Sequence, residues 1–386
     1  MTTRLVIVTE IIAPYRIPVL NALARLPEIE LEVVFLSEND PTLREWKVYK
    51  EEINFRYQVL PSWRQRLGKY NLLINRRVSS TVQRINPDVV MCGGYNYLAS
   101  WSAASWSRSH RVPLLLWSES TAWDRRRGYP PVEFLKARFL KLCTAFIVPG
   151  KSPLNYLTGL GIAEHRIFTA PNAVDTALFS KLADSARSNG TQVRARYNLP
   201  SRYFLYVGRL VRDKGIFDLL DGYSRLEPAL RAAVGLVLAG TGSAHADLLE
   251  RAAKISPGTI QFPGFLHREQ LPEIYGLADG LIFPTHTDPW GLVVNEAMAC
   301  GLPVITTSVA GCALDLVQDG WNGFVVPPGD PPKLAQAMAT LANNPARRKE
   351  MGCRSRERIE KYSPDAWASG VLEAVQFASR PSYPQP

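Results

Sequence analysis

The chain has little of what metal and disulfide chemistry require. Its 386 residues include five cysteines and five histidines. Cys92, Cys143, Cys300, Cys312 and Cys353 stand far apart with no C-x-x-C pair, so neither a disulfide framework nor a thiolate cage is indicated, and a reducing cytosol is expected. The histidines form no H-x-x-x-H pair and do not cluster with cysteine, which gives a structural zinc site little support. There is no D-x-D triplet either, which argues against a metal-dependent sugar transferase, and no metal is expected. No stretch approaches the roughly 18 apolar residues of a membrane helix. The opening run, residues 5–8, is cut off by Glu10 and is too short for a signal peptide or a span, so it is expected as the first strand. Any membrane contact is then peripheral. No nucleic-acid-binding motif is present, and nucleic acid is not expected as a partner.

What is present has the composition of a globular protein, 46% hydrophobic and 21% charged, with a length that suits about two domains. The net charge of +10 is unevenly spread. Residues 1–180 hold 23 Lys and Arg against 15 Asp and Glu, whereas the remainder holds 22 against 20. The excess gathers at residues 63–70 (WRQRLGKY), at Arg76-Arg77 and at Arg125–Arg127. Such patches suit an anionic lipid surface or an anionic acceptor, and scattered solubilising charge is the alternative.

The first half alternates short apolar runs with helical stretches, which means βαβ units and a parallel sheet. Strands are expected at residues 5–8, 31–36, 55–60, 89–91, 114–117 and 145–148, and helices at 17–25, 72–85, 97–109 and 131–142. Residues 181–196 turn polar, with few large apolar side chains, and are expected as a linker. A second series of strands begins at 203–207.

The most informative stretch is residues 281–311, LIFPTHTDPWGLVVNEAMACGLPVITTSVAG. Residues 281–284 read as a buried parallel strand ended by proline. The loop 285–290 then lies at the carboxyl end of that strand, the edge at which open α/β sheets bind ligands. A helix should start near Gly291 and stop at Gly301. Asp288 in the loop and Glu296 about a turn and a half into the helix can reach one crevice and hold the hydroxyls of a sugar-like ligand. The N–H groups of Gly291, Leu292 and Val293 would attract a diphosphate. Equally open is the alternative that Asp288 only caps the helix and Glu296 is a solvated surface residue. Upstream, Arg209 and Lys214 occupy another strand-to-helix loop, between Gly208 and Gly215, and would add positive charge to an anion cradle without metal. Gly240-Thr241-Gly242-Ser243 is not G-x-G-x-x-G, so a dinucleotide fingerprint is weak.

The stretch D-P-W-G-L-V-V-N-E-A-M-A-C-G-L-P-V-I resembles the signature of glycosyltransferase family 4, E-P-F-G-L-x-x-x-E-A-M-A-x-G-x-P-V-I, with Asp288 for the first Glu and Trp290 for Phe. Gly208-Arg209 and Lys214-Gly215, with four residues between Arg and Lys, are similar to a second family pattern. Pro171-Asn172-Ala173-Val174-Asp175 resembles the family's P-N-G-V-D, and Asp315–Val317 with residues 320–326 resembles its closing hairpin. Pro14-Tyr15-Arg16-Ile17-Pro18 is similar to a subset reading P-Y-R-x-P, which lacks the glycine-rich loop of many members.

The resemblance implies an α/β protein of GT-B fold, two Rossmann-like domains whose parallel sheets face each other across a cleft. They would span residues 1–180 (acceptor side) and 181–364 (nucleotide-sugar side), with a last helix, 365–378, crossing back. It implies a retaining, metal-independent glycosyltransferase with a nucleotide-diphosphate sugar as donor and no cofactor. Arg209 and Lys214 would hold the departing diphosphate, Asp288 the donor sugar and Glu296 a ribose or sugar hydroxyl. Gly208, Leu266, Trp290, Gly291, Leu292 and Val293 would line the donor site, and Tyr15 and Arg16 the acceptor side. Typical members carry a histidine near residues 118–120; here Glu119 is the nearest functional substitute, or else a helix-capping acidic residue. The acceptor would be a glycan or lipid-linked precursor of a surface polysaccharide, met at the cytoplasmic face of an anionic membrane. A phosphorylase or epimerase using the same cradle, and an inactive nucleotide- or membrane-binding scaffold, are the rival readings.

Overall fold

A computed structural model describes residues 2–40, 46–67, 70–123 and 130–380. Two compact units result, one from residues 1–173 with 363–386, the other from 174–362.

In the first unit the strands are Thr3–Thr9 (β1), Ile29–Phe35 (β2), Arg56–Val59 (β3), Ser62–Leu67 (β4), Tyr70–Asn75 (β5), Val89–Cys92 (β6), Leu114–Trp117 (β7), Ala145–Val148 (β8) and Ile167–Thr169 (β9). Seven of them form one parallel sheet in the order β3-β2-β1-β6-β7-β8-β9. The pleat splits β1 between two cores. Leu5 and Ile7 pack under the helices Ile17–Ala24 and Pro364–Ala378, while Val6 and Val8 pack under Val78–Ile85, Leu98–His110 and Pro130–Leu142. With both faces covered, the central strands β6, β7 and β8 are apolar throughout, whereas β2 alternates Ile29 and Leu31 with Glu30 and Glu32 and the edge strand β3 is largely exposed. Trp367 of the last helix is fully buried against Trp117, with ring centroids 5.1 Å apart.

The second unit repeats the plan with Tyr203–Val207 (β10), Gly235–Ala239 (β11), Ile260–Gly264 (β12), Gly280–Phe283 (β13), Val304–Thr307 (β14) and Gly323–Val326 (β15), in the order β12-β11-β10-β13-β14-β15. Phe204 and Tyr206 face the helices Ile216–Ser224 and Pro331–Asn343; Tyr203, Leu205 and Val207 face Thr176–Ser188, Leu271–Leu277 and Leu292–Ala299.

Three expectations are corrected. Residues 72–75 are not helical: β5 pairs antiparallel with β4, Arg64 opposite Leu73 and Trp63 opposite Ile74, and the helix starts only at Val78, after Arg77 in a left-handed conformation (φ 72°). The polar stretch 181–196 is not a linker but parts of two helices, Thr176–Ser188 and Gly190–Tyr197. Phe179, Ala183 and Ala186, spaced four and three apart, bury one stripe of the first of these, an apolar face made mostly of alanine. Residues 315–326 form no hairpin, because β15 runs parallel to β14, reached through the short helix Ala313–Leu316. Of the basic stretches, Arg125–Arg127 lie outside the described residues, as do Gly68 and Lys69.

Candidate active site

In both sheets the strand order reverses direction beside the first strand of the unit, between β1 and β6 and between β10 and β13. At such a reversal the loops leaving two neighbouring strands diverge and open a crevice at the carboxyl edge. In the second unit those loops are Gly208–Gly215 and Pro284–Gly291. The register of β10 with β13, Phe204 opposite Gly280 and Leu205 opposite Leu281, places them side by side.

The two loops are stitched together. His286 N donates to Asp213 O (2.9 Å), and Lys214 Nζ donates to Thr287 O (3.1 Å) and pairs with Asp288 Oδ2 at 2.5 Å. This approach depends on Gly215: a Cβ there would lie 1.8 Å from Pro284 O, and its φ of +66° is a left-handed conformation that glycine adopts freely. Lys214 and Asp288 are 13% and 18% exposed, sheltered enough to strengthen their attraction and open enough to meet a ligand. Asp288 also accepts from Trp290 N through Oδ1 (3.1 Å), so it both closes the turn before the helix and holds Lys214. Arg209 is exposed, and its guanidinium makes no ion pair or hydrogen bond among the described residues. Its backbone is fixed by Tyr206, whose hydroxyl donates to Arg209 O (2.8 Å), and Gly208 N donates to Ala239 O (3.0 Å).

Gly291 (φ +100°) turns the chain into the helix Leu292–Ala299, and a Cβ there would strike the Phe283 ring at 2.5 Å. The N–H groups of Gly291, Leu292 and Val293 have no backbone acceptor among the described residues, as at any helix start. Glu296, half-buried on that helix, accepts from the Tyr275 hydroxyl (2.8 Å) and shares no bond with the Lys214–Asp288 pair among the described residues. Burial pushes its carboxyl up to about 7, and the Tyr275 hydrogen bond pulls back only part of that. The side chains of two expected donor-site residues are buried. The Trp290 indole is core, 2% exposed, with Nε1 bonded to Asn295 Oδ1 (2.9 Å), and the Leu266 side chain is likewise buried. Their side chains brace the loops from beneath.

In the first unit the loops after β1 and β7 bring distant residues together. The Arg16 guanidinium lies 4.3 Å from the Trp117 ring, donates to Thr9 Oγ1 (2.9 Å) and stands 3.8 Å from Glu119 Oε1. Asn172 Nδ2 donates to the same carboxylate oxygen (3.2 Å). Tyr15 makes an edge contact with Trp46, centroids 5.7 Å apart. Thr9, Trp117, Asn172, Tyr275 and the His286–Asp218 pair (2.5 Å) were not singled out from the sequence. Only Asn172 carried a signal, its place in the P-N-A-V-D run.

Residues 192–358 match the family model described as glycosyl transferases group 1, and residues 19–178 match the one described as Glycosyltransferase Family 4, so that the two span most of the chain. The chain belongs to glycosyltransferase family 4. It is 29% identical over 231 residues to the D-inositol 3-phosphate glycosyltransferase of Kineococcus radiotolerans, covering 55% of this chain and 52% of that one. It is 32% identical over 171 residues to the capsular polysaccharide biosynthesis glycosyltransferase CapM of Staphylococcus aureus, covering 41% of each. The chain thus spans about half the length of curated relatives it matches. Anabaena Alr3699/HepE, solved in complex with UDP, superposes with a TM-score of 0.77 over 97% of this chain and 99% of that one, at 17% identity. The fold class of this family 4 chain is therefore GT-B, as its two parallel sheets indicate.

Proposed function

We propose that the chain is a retaining glycosyltransferase that moves a sugar from a nucleotide-diphosphate sugar to a hydroxyl of a glycan or lipid-linked acceptor, in the synthesis of a cell-surface polysaccharide. The observation that carries this is the Lys214–Asp288 pair at the strand-order reversal of the second sheet, with exposed Arg209 on the neighbouring loop. HepE, which shares the fold, was solved with UDP and with UDP-glucose, and CapM is named for capsular polysaccharide biosynthesis.

In the ligand-free chain Asp288 neutralises Lys214. A donor diphosphate brings two or more negative charges to that ammonium, to Arg209 and to the N–H groups of Gly291–Val293, which share its charge without a metal ion. Asp288 then accepts from hydroxyls of the donor sugar, and Glu296 in its ionised form from a ribose or sugar hydroxyl. As the bond from the anomeric carbon to the phosphate oxygen breaks, Lys214 and Arg209 stabilise the charge left on the diphosphate, an electrostatic contribution fixed in advance by the stitched loops. The acceptor hydroxyl attacks from the same face, forms the new C–O bond and gives its proton to the departing phosphate oxygen. Retention follows, and no side-chain nucleophile is needed. Glu119, oriented by Arg16 and Asn172, positions the acceptor. The acceptor is carried at the cytoplasmic face of an anionic membrane; among the described residues no helix is long and apolar enough to cross one.

The test is a thermal-shift screen of UDP-, GDP- and ADP-sugars in the presence of EDTA. A ligand at 100 times its Kd adds about 2.7 kcal/mol to stability. Stabilisation by one nucleotide class, lost in Lys214→Ala, is expected; no stabilisation by any of them removes the assignment.

A further inference from the structure

Exposed large apolar side chains are not spread evenly over this molecule. Of the six large apolar side chains at least half exposed among the described residues, Trp63, Leu98, Trp123, Phe134 and Leu135 belong to the first unit and only Leu314 to the second. Their places in the fold coincide. Trp63 is on the β4–β5 hairpin, which leaves the sheet at the carboxyl end of β3 and is tied there by Arg64 to Asp40 and by Asn75 Nδ2 to Leu36 O (2.6 Å). Leu98 opens the helix that follows β6. Trp123 is in the loop that leaves β7, and Phe134 and Leu135 are in the opening turns of the helix that precedes β8. Helices in βαβ units run antiparallel to the strands, so their first turns stand at the carboxyl edge of the sheet. All five side chains therefore sit along one rim.

The three elements are neighbours. The helix Leu98–His110 packs against β5 on one side and against Pro130–Leu142 on the other, where Trp101 meets Phe139 edge-on at 5.1 Å. On the hairpin the pleat sends Arg64 and Leu73 inward and Trp63 and Ile74 to the opposite face. Exposed bases border this rim: Arg76 and Arg77 where β5 passes into the next helix, and Arg138 one turn beyond Phe134, its guanidinium 5.9 Å from that ring. A water-exposed cluster of tryptophan, phenylalanine and leucine fringed by arginine is costly in solution and favourable where an apolar layer lies under a negative surface.

We propose that this rim docks on an anionic membrane, Trp63, Phe134 and Leu135 entering the interface while Arg76, Arg77 and Arg138 meet the headgroup phosphates. The occupant follows from charge complementarity, since the residues 1–180 that contain the rim hold eight more Lys and Arg than Asp and Glu. The inference deepens the acceptor half of the proposed function and rests on that reading for its purpose: a rim on the membrane holds the acceptor-side loops after β1 and β7 against the surface that carries a lipid-linked acceptor.

The experiment is co-sedimentation of the full chain with vesicles of equal parts phosphatidylglycerol and phosphatidylcholine, and with phosphatidylcholine alone. Binding to the anionic vesicles is expected, weakened as salt shortens the Debye length to about 8 Å at physiological strength. Phe134→Ser/Leu135→Ser should lower the partition by about tenfold or more, and Arg76→Glu/Arg77→Glu on the order of tenfold. Leu249→Ser, an exposed leucine of the second unit, should change nothing, and all variants should keep the wild-type Tm. Absence of binding to anionic vesicles at low salt would overturn the proposal. So would serine variants that bind like wild type, or a dimer in sedimentation velocity that these same variants dissociate, which would make a second copy the occupant. Donor-dependent thermal shift on the same preparations reads the transferase assignment separately: vesicle binding without donor stabilisation sinks that assignment alone, and donor stabilisation without vesicle binding sinks the rim alone.

Discussion

The two units share one architecture and use its carboxyl edge in different ways. In the second, the functional groups come from two loops of adjacent strands, β10 and β13, and from the helix start that follows. Glycines let the backbones approach closely, and one short ion pair, Lys214–Asp288, locks them. In the first, the corresponding edge is assembled from Arg16, Glu119 and Asn172, residues more than fifty positions apart, resting on Trp117 and Trp367, and its outer rim is apolar and basic. On the proposed assignment, the second edge holds a small polyanion, which rewards close, fixed donors, and the first a larger and more variable acceptor, which needs the breadth that side chains from many segments supply.

The comparison breaks most visibly at the cradle. Arg209→Ala and Lys214→Ala should each lower transfer by about 10²–10³-fold, the loss typical of one preorganised electrostatic contact. Their effects on stability should differ. The Arg209 guanidinium is exposed and makes no hydrogen bond or ion pair among the described residues, so Tm should hold, whereas losing Lys214 strands the sheltered Asp288 carboxylate and should cost about 1–3 kcal/mol. Equal turnover in Lys214→Ala and wild type would remove the diphosphate role.

Asp288→Asn should lower transfer about 10–100-fold, while Asp288→Glu should be tolerated better, because an amide presents donors where sugar hydroxyls need acceptors. Combined with Lys214→Ala its cost should be well below the sum of the singles, since the two share one contact. An inert Asp288→Asn would return the residue to a purely capping role.

A smaller effect separates Glu296 from the pair. With its carboxyl raised to about 7 from the usual 4.5, the folded chain holds this proton more tightly than the unfolded chain does. Its contribution is therefore fully present below about pH 4.5 and is lost as pH rises through about 7, a change of about 3 kcal/mol. Glu296→Gln should remove that part of the Tm–pH slope between pH 5 and 8. An unchanged slope would show that the group titrates normally. Because hydroxyl recognition needs the ionised form, donor binding at pH 6 should release a proton, which titration calorimetry in buffers of different ionisation enthalpy would register.

The smallest effect belongs to the first unit. Arg16→Ala should raise the acceptor KM about tenfold and leave donor hydrolysis unchanged, and Arg16→Lys should not rescue it, because an ammonium cannot lie flat on Trp117 while bonding Thr9 and Glu119. If donor hydrolysis fell equally, the division of labour between the two units would be wrong.

Strands such as residues 114–117, 145–148 and 203–207 were legible to the residue, because short apolar runs between turn signals have few alternatives. Residues 72–75 misled because Leu-Leu-Ile fits either period; only the pairing of Ile74 with Trp63 selects the strand. Residues 181–196 misled because a stripe of alanines does not look apolar until something packs on it. The Lys214–Asp288 contact was hidden for a related reason. Each residue could be assigned to a loop, but their pairing needs β10 beside β13, an order that spacing does not state.

Local chemistry, then, was written in the sequence alone: the strand ends, the helix start at Gly291, the positions of Arg209, Lys214, Asp288 and Glu296 on their elements, and the concentration of positive charge in residues 1–180. These depend on φ/ψ preferences and on neighbours a few residues away, which a linear pattern contains. The tertiary structure alone decided the Arg16–Trp117–Glu119–Asn172 cluster, the Tyr275 bond and the raised Glu296 carboxyl, the burial of Trp290, and the gathering of Trp63, Leu98 and Phe134 on one rim. Those depend on which strands lie side by side and on how much water is excluded between them, and both are set by the packing of the whole unit.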